Sequence, residues 1–159
     1  MIHVYTFKEG LLAKLAHNLR LHVEDPHVER DGDCVAVSFH VNQLRVDGTI
    51  DRSGALNSTE LTEANKADIQ SNITREIFPQ SSEVTFRGRI EGARLTGDLT
   101  LAGQTHPVVS DLKAGPNGLS GSLDLVPSAW GIEPYKTMGG AIRLKDHLRI
   151  EFSHPGEHP

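Results

Sequence analysis

The sequence is dominated by short segments in which apolar and polar residues alternate with a period of two. In residues 119–125, Leu119, Gly121, Leu123 and Leu125 alternate with two serines and an aspartate. This alternation is typical of a β-strand with one buried face. Eight strands joined by short turns predict an antiparallel sheet. The other seven segments, separated by turn-forming residues, are at positions 2–7, 17–24, 35–46, 84–90, 95–101, 106–112 and 142–152.

Eight antiparallel strands are enough to close a barrel whose interior holds side chains or one small ligand. Closure also removes exposed sheet edges, which otherwise invite aggregation. Two glycines, Gly97 and Gly121, fall at inward-facing positions. They either mark corners of the barrel or widen a cavity inside it. A change of apolar parity between Val41 and Leu44 predicts a bulge or a corner in the third strand.

One segment has the longer period of a helix. Residues 58–78 place apolar side chains, among them Ile69 and Ile77, on one stripe and charged side chains opposite. This spacing predicts one amphipathic helix that ends at Pro79. Residues 47–58, which are rich in glycine, serine and aspartate, are predicted to form a polar loop. The predicted fold class is therefore all-β with one α-helix.

Length and composition predict a single domain over residues 1–153 with a flexible tail at residues 154–159. The net charge of −5 argues against nucleic-acid binding. The single cysteine, Cys34, excludes an intramolecular disulfide and is compatible with a reducing compartment. The sequence shows neither a signal-like start nor a membrane-spanning run. We therefore expect a cytoplasmic protein without stable membrane insertion, or a periplasmic one if the chain is a processed form.

Three segments resemble the YceI-like family, which are lipocalin-like bacterial proteins that bind polyisoprenoids and related lipids. The most specific is residues 95–108, LTGDLTLAGQTHPV, which is similar to the family core G-x-L-T-L-x-G-x-T-x-P-V. The others are residues 8–19, KEGLLAKLAHNL, and residues 129–132, AWGI, ahead of the last strand. The helix around residues 66–71 occupies the place of a helix in that family. The resemblance spans nearly the whole chain in matching order.

The resemblance implies an elongated eight-stranded antiparallel lipocalin-like β-barrel with an apolar tunnel. Inward-facing side chains would line the tunnel, while the helix and the leucines near the N-terminus would cover it. The candidate ligand-binding residues are Leu12, Leu15, His17, Leu19, Leu21, Ile69, Ile73, Phe86, Leu99, Leu101, Leu123, Trp130, Tyr135, Met138 and Ile142.

The nine histidines raise the question of a metal site. His17 and His22 are an odd number of residues apart and would point to opposite faces of a strand. No second cysteine and no H-x-x-x-H motif on the helix joins them, so we predict neither a metal site nor a cofactor. His17 shares the parity of Leu19 and Leu21. It is therefore either a core histidine with a hydrogen-bond partner or a polar contact in the ligand tunnel.

Aromatic residues are scarce, but Trp130 and Tyr135 lie close together in an irregular segment that also contains Met138. One interpretation is that Trp130 plugs one end of the barrel. The other is that the three side chains line the entrance of an apolar cavity, with the indole nitrogen of Trp130 bound to a polar partner.

No motif for nucleophilic catalysis is visible, since the sequence has no G-x-S-x-G elbow and Cys34 has no histidine nearby in the chain. We therefore predict a protein that is not an enzyme. It would store, transport or sequester an isoprenoid, quinone or fatty-acyl lipid inside the barrel. The alternative is a structural or protein-interaction barrel with a filled core and no ligand. Association into a homodimer is left open.

Overall fold

The computed structural model describes residues 1–9, 17–78 and 83–155, and within them the chain forms one antiparallel sheet. The order of its strands is β3-β4-β7-β8-β9-β10-β12-β1-β2-β5-β6, and β11 pairs with β12 outside this order. The strands are β1 (Ile2–Glu9), β2 (Asn18–Val23), β3 (His27–Asp31), β4 (Cys34–His40), β5 (Leu44–Ile50), β6 (Leu56–Asn57), β7 (Glu83–Glu91), β8 (Arg94–Leu101), β9 (Gln104–Gly115), β10 (Gly118–Leu125), β11 (Lys136–Thr137) and β12 (Ile142–His154).

The sheet curls on itself, so that its inner face encloses an interior space. The long strand β9 joins the two halves of the sheet: Leu99 of β8 pairs with His106 at its start, and Gly121 of β10 pairs with Leu112 near its end. The predicted all-β, lipocalin-like barrel with one helix is confirmed. The last strand runs to His154, and most of the predicted tail, residues 156–159, lies outside the described residues.

The described residues contain ten strands of five or more residues, where the alternation predicted eight. The difference arises because the predicted strand at residues 35–46 is bent into β4 and β5, and because β3, which continues β2 beyond a bend, was not predicted. Strand β2 leads into β3 through residues 24–26, and β4 leads into β5 through a 3-10 turn at Val41–Gln43. The two bent strands pair with each other on both sides of this corner. The corner predicted from the parity change is therefore confirmed.

Two hydrogen bonds between Glu24 and Gln43 fix the corner. The main-chain N–H of Glu24 donates to the carbonyl of Gln43 at 2.8 Å, and the side-chain amide Nε2 of Gln43 donates back to the carbonyl of Glu24 at 2.8 Å. Asp25, between the two strands, has a positive φ of 50°, a conformation that aspartate tolerates better than most residues. Strand β3 was not predicted, because its sequence HVERD has one apolar residue and all five of its residues are exposed.

The predicted loop at residues 47–58 is wrong over its first part, because β5 continues to Ile50. Asp47 stays in the strand since its carboxylate is held by two neighbours on β2, Arg20 Nε at 2.8 Å and His22 Nδ1 at 2.6 Å. Gly48 is needed next to it, because a Cβ at that position would lie 2.2 Å from the carbonyl oxygen of Asn57.

The same outer surface carries two groups with shifted pKa values. Burial, together with the nearby Arg20 guanidinium, lowers the pKa of His3. Burial and the Glu151 carboxylate, which accepts a hydrogen bond from the Tyr5 hydroxyl at 3.1 Å, raise the pKa of Tyr5. Both groups are therefore neutral near pH 7. The hydrogen bond of Tyr5 ties β1 to β12 on the outside, while the inner face of the sheet stays apolar.

The helix α1 (Glu63–Asn72) is shorter than predicted. It begins late because the side chain of Asn57 accepts the N–H groups of Thr59 and Glu60, each at 3.1 Å, and this holds the preceding residues in a polar turn. Thr62 and Asn65 then form a capping box that starts the helix. After Asn72 the chain continues as a π-helical turn over Ile73–Ile77.

Helix α1 lies against β5, next to the part of that strand that β6 does not cover. At this edge of β5 the helix takes the place of a neighbouring strand through one side chain. Gln70 Oε1 accepts the N–H of Val46 at 3.0 Å. Val46 is 6% exposed, so water cannot readily replace this acceptor. Gln70 therefore ties the helix to the sheet edge.

We expect Gln70→Met to lower the free energy of unfolding by about 1–3 kcal/mol, because it leaves a buried main-chain N–H without an acceptor. Gln70→Glu retains an acceptor oxygen and is the matched control, expected close to the unsubstituted protein. Urea unfolding followed by circular dichroism measures both variants. Equal stability of Gln70→Met and Gln70→Glu would contradict this role for the amide oxygen.

Candidate ligand-binding cavity

The curled sheet encloses a cavity of about 480 Å³. This volume lies within the roughly 300–1,000 Å³ that is common for small-molecule sites. Its wall is formed by inward-facing side chains of the strands, and by residues of α1 and of the π-helical turn. Ten of the predicted ligand-binding residues lie on this wall: Leu19, Leu21, Ile69, Ile73, Phe86, Leu99, Leu101, Leu123, Tyr135 and Ile142.

Burial divides the interior into a packed end and an open part. A cluster of buried apolar residues fills one end of the barrel: Val41, Val84, Leu99, Leu101, Leu125, Trp130 and Ile132. Further along the wall, Val4, Val35 and Val37 also face inward and are only half-buried. A residue that faces inward without becoming buried borders open space. The chain therefore leaves much of its interior unfilled.

Trp130 belongs to the packed end. It is 5% exposed, and its indole N–H donates to the carbonyl of Leu99 at 3.0 Å. Its ring also meets the ring of His106 edge-on, with 5.1 Å between the centroids. Trp130 is not among the residues that line the cavity. The structure therefore favours the interpretation that Trp130 plugs one end of the barrel, and the predicted polar partner of its nitrogen is the Leu99 carbonyl.

The interior position predicted for His17 is wrong. His17 precedes the first residue of β2, Asn18, so the alternation of the strand does not extend to it. Its side chain is 42% exposed, and Nδ1 lies 3.5 Å from the Glu60 carboxylate. It is absent from the cavity wall. Three other predicted positions, Leu12, Leu15 and the side chain of Met138, lie outside the described part of the chain.

The inward-facing glycines accommodate aromatic rings. A Cβ at Gly97 would lie 2.7 Å from the ring of Phe86, and a Cβ at Gly88 would lie 2.4 Å from the same ring. At Gly121 the obstacle is the ring of Phe152, at 2.5 Å. Each phenylalanine therefore lies over bare glycine backbone. This arrangement keeps the rings close to the sheet, so the glycines make the cavity wider.

Strand β12 departs from regular pairing beside the cavity. Thr6 pairs with Leu148 and Lys8 with Leu144, so three residues of β12 lie opposite the single residue Phe7. We call residues 145–147 the β12 excursion. Asp146 accepts the N–H of Ser128 at 3.0 Å and also the Ser128 hydroxyl, and this holds the turn that carries Trp130.

His147 fixes the end of the β12 excursion. Its Nε2 lies 2.7 Å from the Asp124 carboxylate, and its ring stacks on Phe7 with 4.9 Å between the centroids. Lys145, at the start of the excursion, lies on the edge of the cavity.

The prediction missed the charged residues of the cavity wall, which are Arg30, Glu133, Arg143 and Lys145. Alternation assigns Arg143 and Lys145 to the outer face of the last strand, and the β12 excursion is not visible in the sequence. Arg30 belongs to β3, which lacks alternation. Glu133 lies in irregular chain, where periodicity carries no information.

Thr6 also lies on the cavity wall, but its hydroxyl does not face the cavity. Its Oγ1 is buried and has no hydrogen-bond partner among the described residues. A buried hydroxyl without a partner destabilises the folded state.

We expect Thr6→Val, which replaces this hydroxyl by a methyl group of similar size, to raise the free energy of unfolding by about 1 kcal/mol. The matched control is Thr100→Val, because the Thr100 hydroxyl shares a hydrogen bond of 2.7 Å with Thr105. The control should lose stability or stay unchanged. Chemical denaturation measures both variants, and a loss of stability in Thr6→Val would refute the expectation.

An apolar cavity inside a curled antiparallel sheet with one covering helix defines a lipocalin-like barrel. The model of the YceI-like domain matches residues 10–154, and the chain belongs to the YceI-like family. No curated protein matches the chain. Within the described residues, no helix has the length and apolar character to cross a membrane.

Two solved structures have a similar fold. Burkholderia cenocepacia BcnA has a TM-score of 0.55 and 13% identity, with 94% of this chain and 92% of that chain covered. A mutant of the CJ YceI protein with a monobromobimane guest has a TM-score of 0.50 and 14% identity, with 87% and 85% covered. At these identities the similarity supports the fold alone.

Proposed function

We propose that the protein binds a long apolar molecule, of the isoprenoid, quinone or fatty-acyl class, inside the barrel, and that it does so without catalysing a reaction. The observation that carries this proposal is the cavity of about 480 Å³ with an almost entirely apolar wall. Membership of the YceI-like family, whose members are polyisoprenoid-binding barrels, supports the same ligand class. Storage, transport and sequestration all require only reversible binding.

The energetics of such a site suit a chain-like ligand. Each methylene group removed from water contributes about 0.8 kcal/mol, so about ten of them contribute roughly 8 kcal/mol, the free energy of micromolar affinity, and further groups of a longer chain offset the costs of association. The half-buried inner residues, such as Val4 and Val37, are partly accessible without a ligand and would become covered on binding. The alternative, a barrel with a filled core, agrees less well with these residues.

Native mass spectrometry and organic extraction of the purified protein test the proposal directly. We expect an added mass in the lipid range in the native spectrum and the same compound in the extract. A fluorescent fatty-acid analogue and a fluorescent isoprenoid analogue provide the second measurement. Absence of a co-purified lipid, together with no binding of either analogue, would refute the proposed function.

A substitution that fills the cavity provides a sharper test. Leu19 lines the cavity, is half-buried and lies outside the packed end. We expect Leu19→Trp to weaken binding of either analogue at least about tenfold, because the larger ring occupies space that the ligand needs. Leu99 is less suitable, because it is 7% exposed and lies in the packed cluster.

The matched control is Val109→Trp, which places the same side chain on the outer surface, where Val109 is 55% exposed. It should bind like the unsubstituted protein. Circular dichroism and thermal unfolding establish that both variants are folded. Unchanged affinity in a folded Leu19→Trp variant would remove Leu19 from the binding site.

A further inference from the structure

The free edge of β3 lies at an opening of the cavity. β3 is the last strand in the order of the sheet, and within the described residues it is paired with β4 alone. All five of its residues are exposed. Val28 lines the cavity and is 41% exposed, whereas Val37, its partner on β4, lines the same wall and is half-buried. A side chain that lines the cavity and is also exposed lies where the wall is interrupted.

The other side of this opening is formed by Met1 and by His154 at the end of β12. Both residues line the cavity, and Met1 is exposed. The bent strand turns away from β1 at residues 24–26, after the last pairs between β1 and β2, and β3 therefore diverges from this side of the sheet. We call the opening between Val28 on one side and Met1 and His154 on the other the β3 gap.

No side-chain contact closes the β3 gap within residues 1–9, 17–78 and 83–155. Nε2 of His27 lies 2.9 Å from the Glu29 carboxylate, and Nε of Arg30 donates to the carbonyl of Gly32 at 3.1 Å, so both contacts stay within the β3–β4 hairpin. Charged side chains on an edge strand, such as Arg30 on the cavity side, hinder the addition of a further strand. β3 is therefore held by its main-chain bonds to β4, and its other edge can move.

The remaining sides of the cavity are closed by packing. Between β5 and β7 the space is covered by α1, which Gln70 ties to Val46, and by the π-helical turn, whose Ile77 packs against the buried cluster. At the opposite end the cluster around Trp130 fills the barrel, and Asp146 holds the turn that carries this ring. Elsewhere neighbouring strands are joined by main-chain hydrogen bonds, which a ligand could not pass without breaking them.

We propose that the ligand enters and leaves the cavity through the β3 gap, and that Val28 controls the rate of this passage. The inference rests on the proposed function and adds the route to it. Among the described residues no main-chain hydrogen bond spans the gap, so passage requires none to break. The side chains of Val28 and Met1 border the gap, so an apolar chain stays in contact with apolar surface as it moves from water into the cavity.

Rate constants test this route. A residue that only borders an entrance changes the transition state for passage and leaves the free and bound states as they are. The association and dissociation rate constants then change by the same factor, and the affinity stays the same. Stopped-flow fluorescence measures association of the fatty-acid analogue and of the isoprenoid analogue, and a chase with unlabelled lipid measures their dissociation.

We expect Val28→Trp to lower both rate constants at least about threefold, because the larger ring narrows the gap, and to change Kd by less than about twofold. The matched control is Val109→Trp on the outer surface, which should leave both rate constants unchanged. Glu133→Trp places the same ring at the opposite end of the cavity, where Glu133 is exposed, and should also leave them unchanged. Circular dichroism establishes that the variants are folded.

Three results would overturn the inference. In the first, a folded Val28→Trp variant binds and releases both analogues at the rates of the unsubstituted protein. In the second, Glu133→Trp or the helix variant Gln70→Met changes both rate constants while Val28→Trp does not, which would assign the entrance to the opposite end or to the helix. In the third, Val28→Trp changes dissociation alone, which would place Val28 in the binding site and not at its entrance.

The same measurements separate this inference from the proposed function. In each of the three results the unsubstituted protein still binds the analogues, so the proposed function stands while the route through the β3 gap fails. If the unsubstituted protein binds neither analogue, the proposed function is refuted and the inference with it.

Discussion

The packing of Trp130 into one end of the barrel is the interaction on which the rest of the structure depends. A curled sheet with an open interior has fewer buried contacts than a filled one, so a limited region must supply most of the stability of the fold. Here that region is the packed cluster around Trp130, whose indole N–H is satisfied by the Leu99 carbonyl. The separation lets one end stabilise the fold while the other part remains available to a ligand.

Two devices keep the open part of the barrel wide. Glycines lie where phenylalanine rings need space against the wall, as at Gly97 under Phe86 and Gly121 under Phe152. On the opposite side, helix α1 completes the wall through the Gln70 hydrogen bond to Val46, where a further strand would otherwise be required. In both cases the side chains contact other residues of the wall and not residues on the far side of the cavity.

Alternation in the sequence predicts the inward-facing positions well, because the parity of a strand is a local property. Leu19, Leu123 and Ile142 all lie on the cavity wall, as their parity indicates. The prediction fails where the period does not apply. His17 precedes β2, and strand β3 has too few apolar residues to form an alternating pattern.

The start of the helix and the charged residues of the cavity wall depend on individual side-chain contacts, which periodicity does not contain. The side chain of Asn57 delays the helix, and the contact of Asp146 with Ser128 fixes the β12 excursion, which begins at Lys145 on the edge of the cavity. The second of these contacts joins segments that are far apart in the sequence. The fold class was therefore accessible from the sequence alone, and the polar part of the site was not.

The β12 excursion has a consequence for how this barrel can vary in length. It adds two residues to β12 relative to β1, so Leu148, Ile150 and Phe152 keep the inward orientation of Leu144. A single inserted or deleted residue would reverse every side chain that follows and turn this apolar row toward solvent. Changes of two residues within the β12 excursion therefore preserve the apolar row, and the edge of the cavity can be remodelled in such increments.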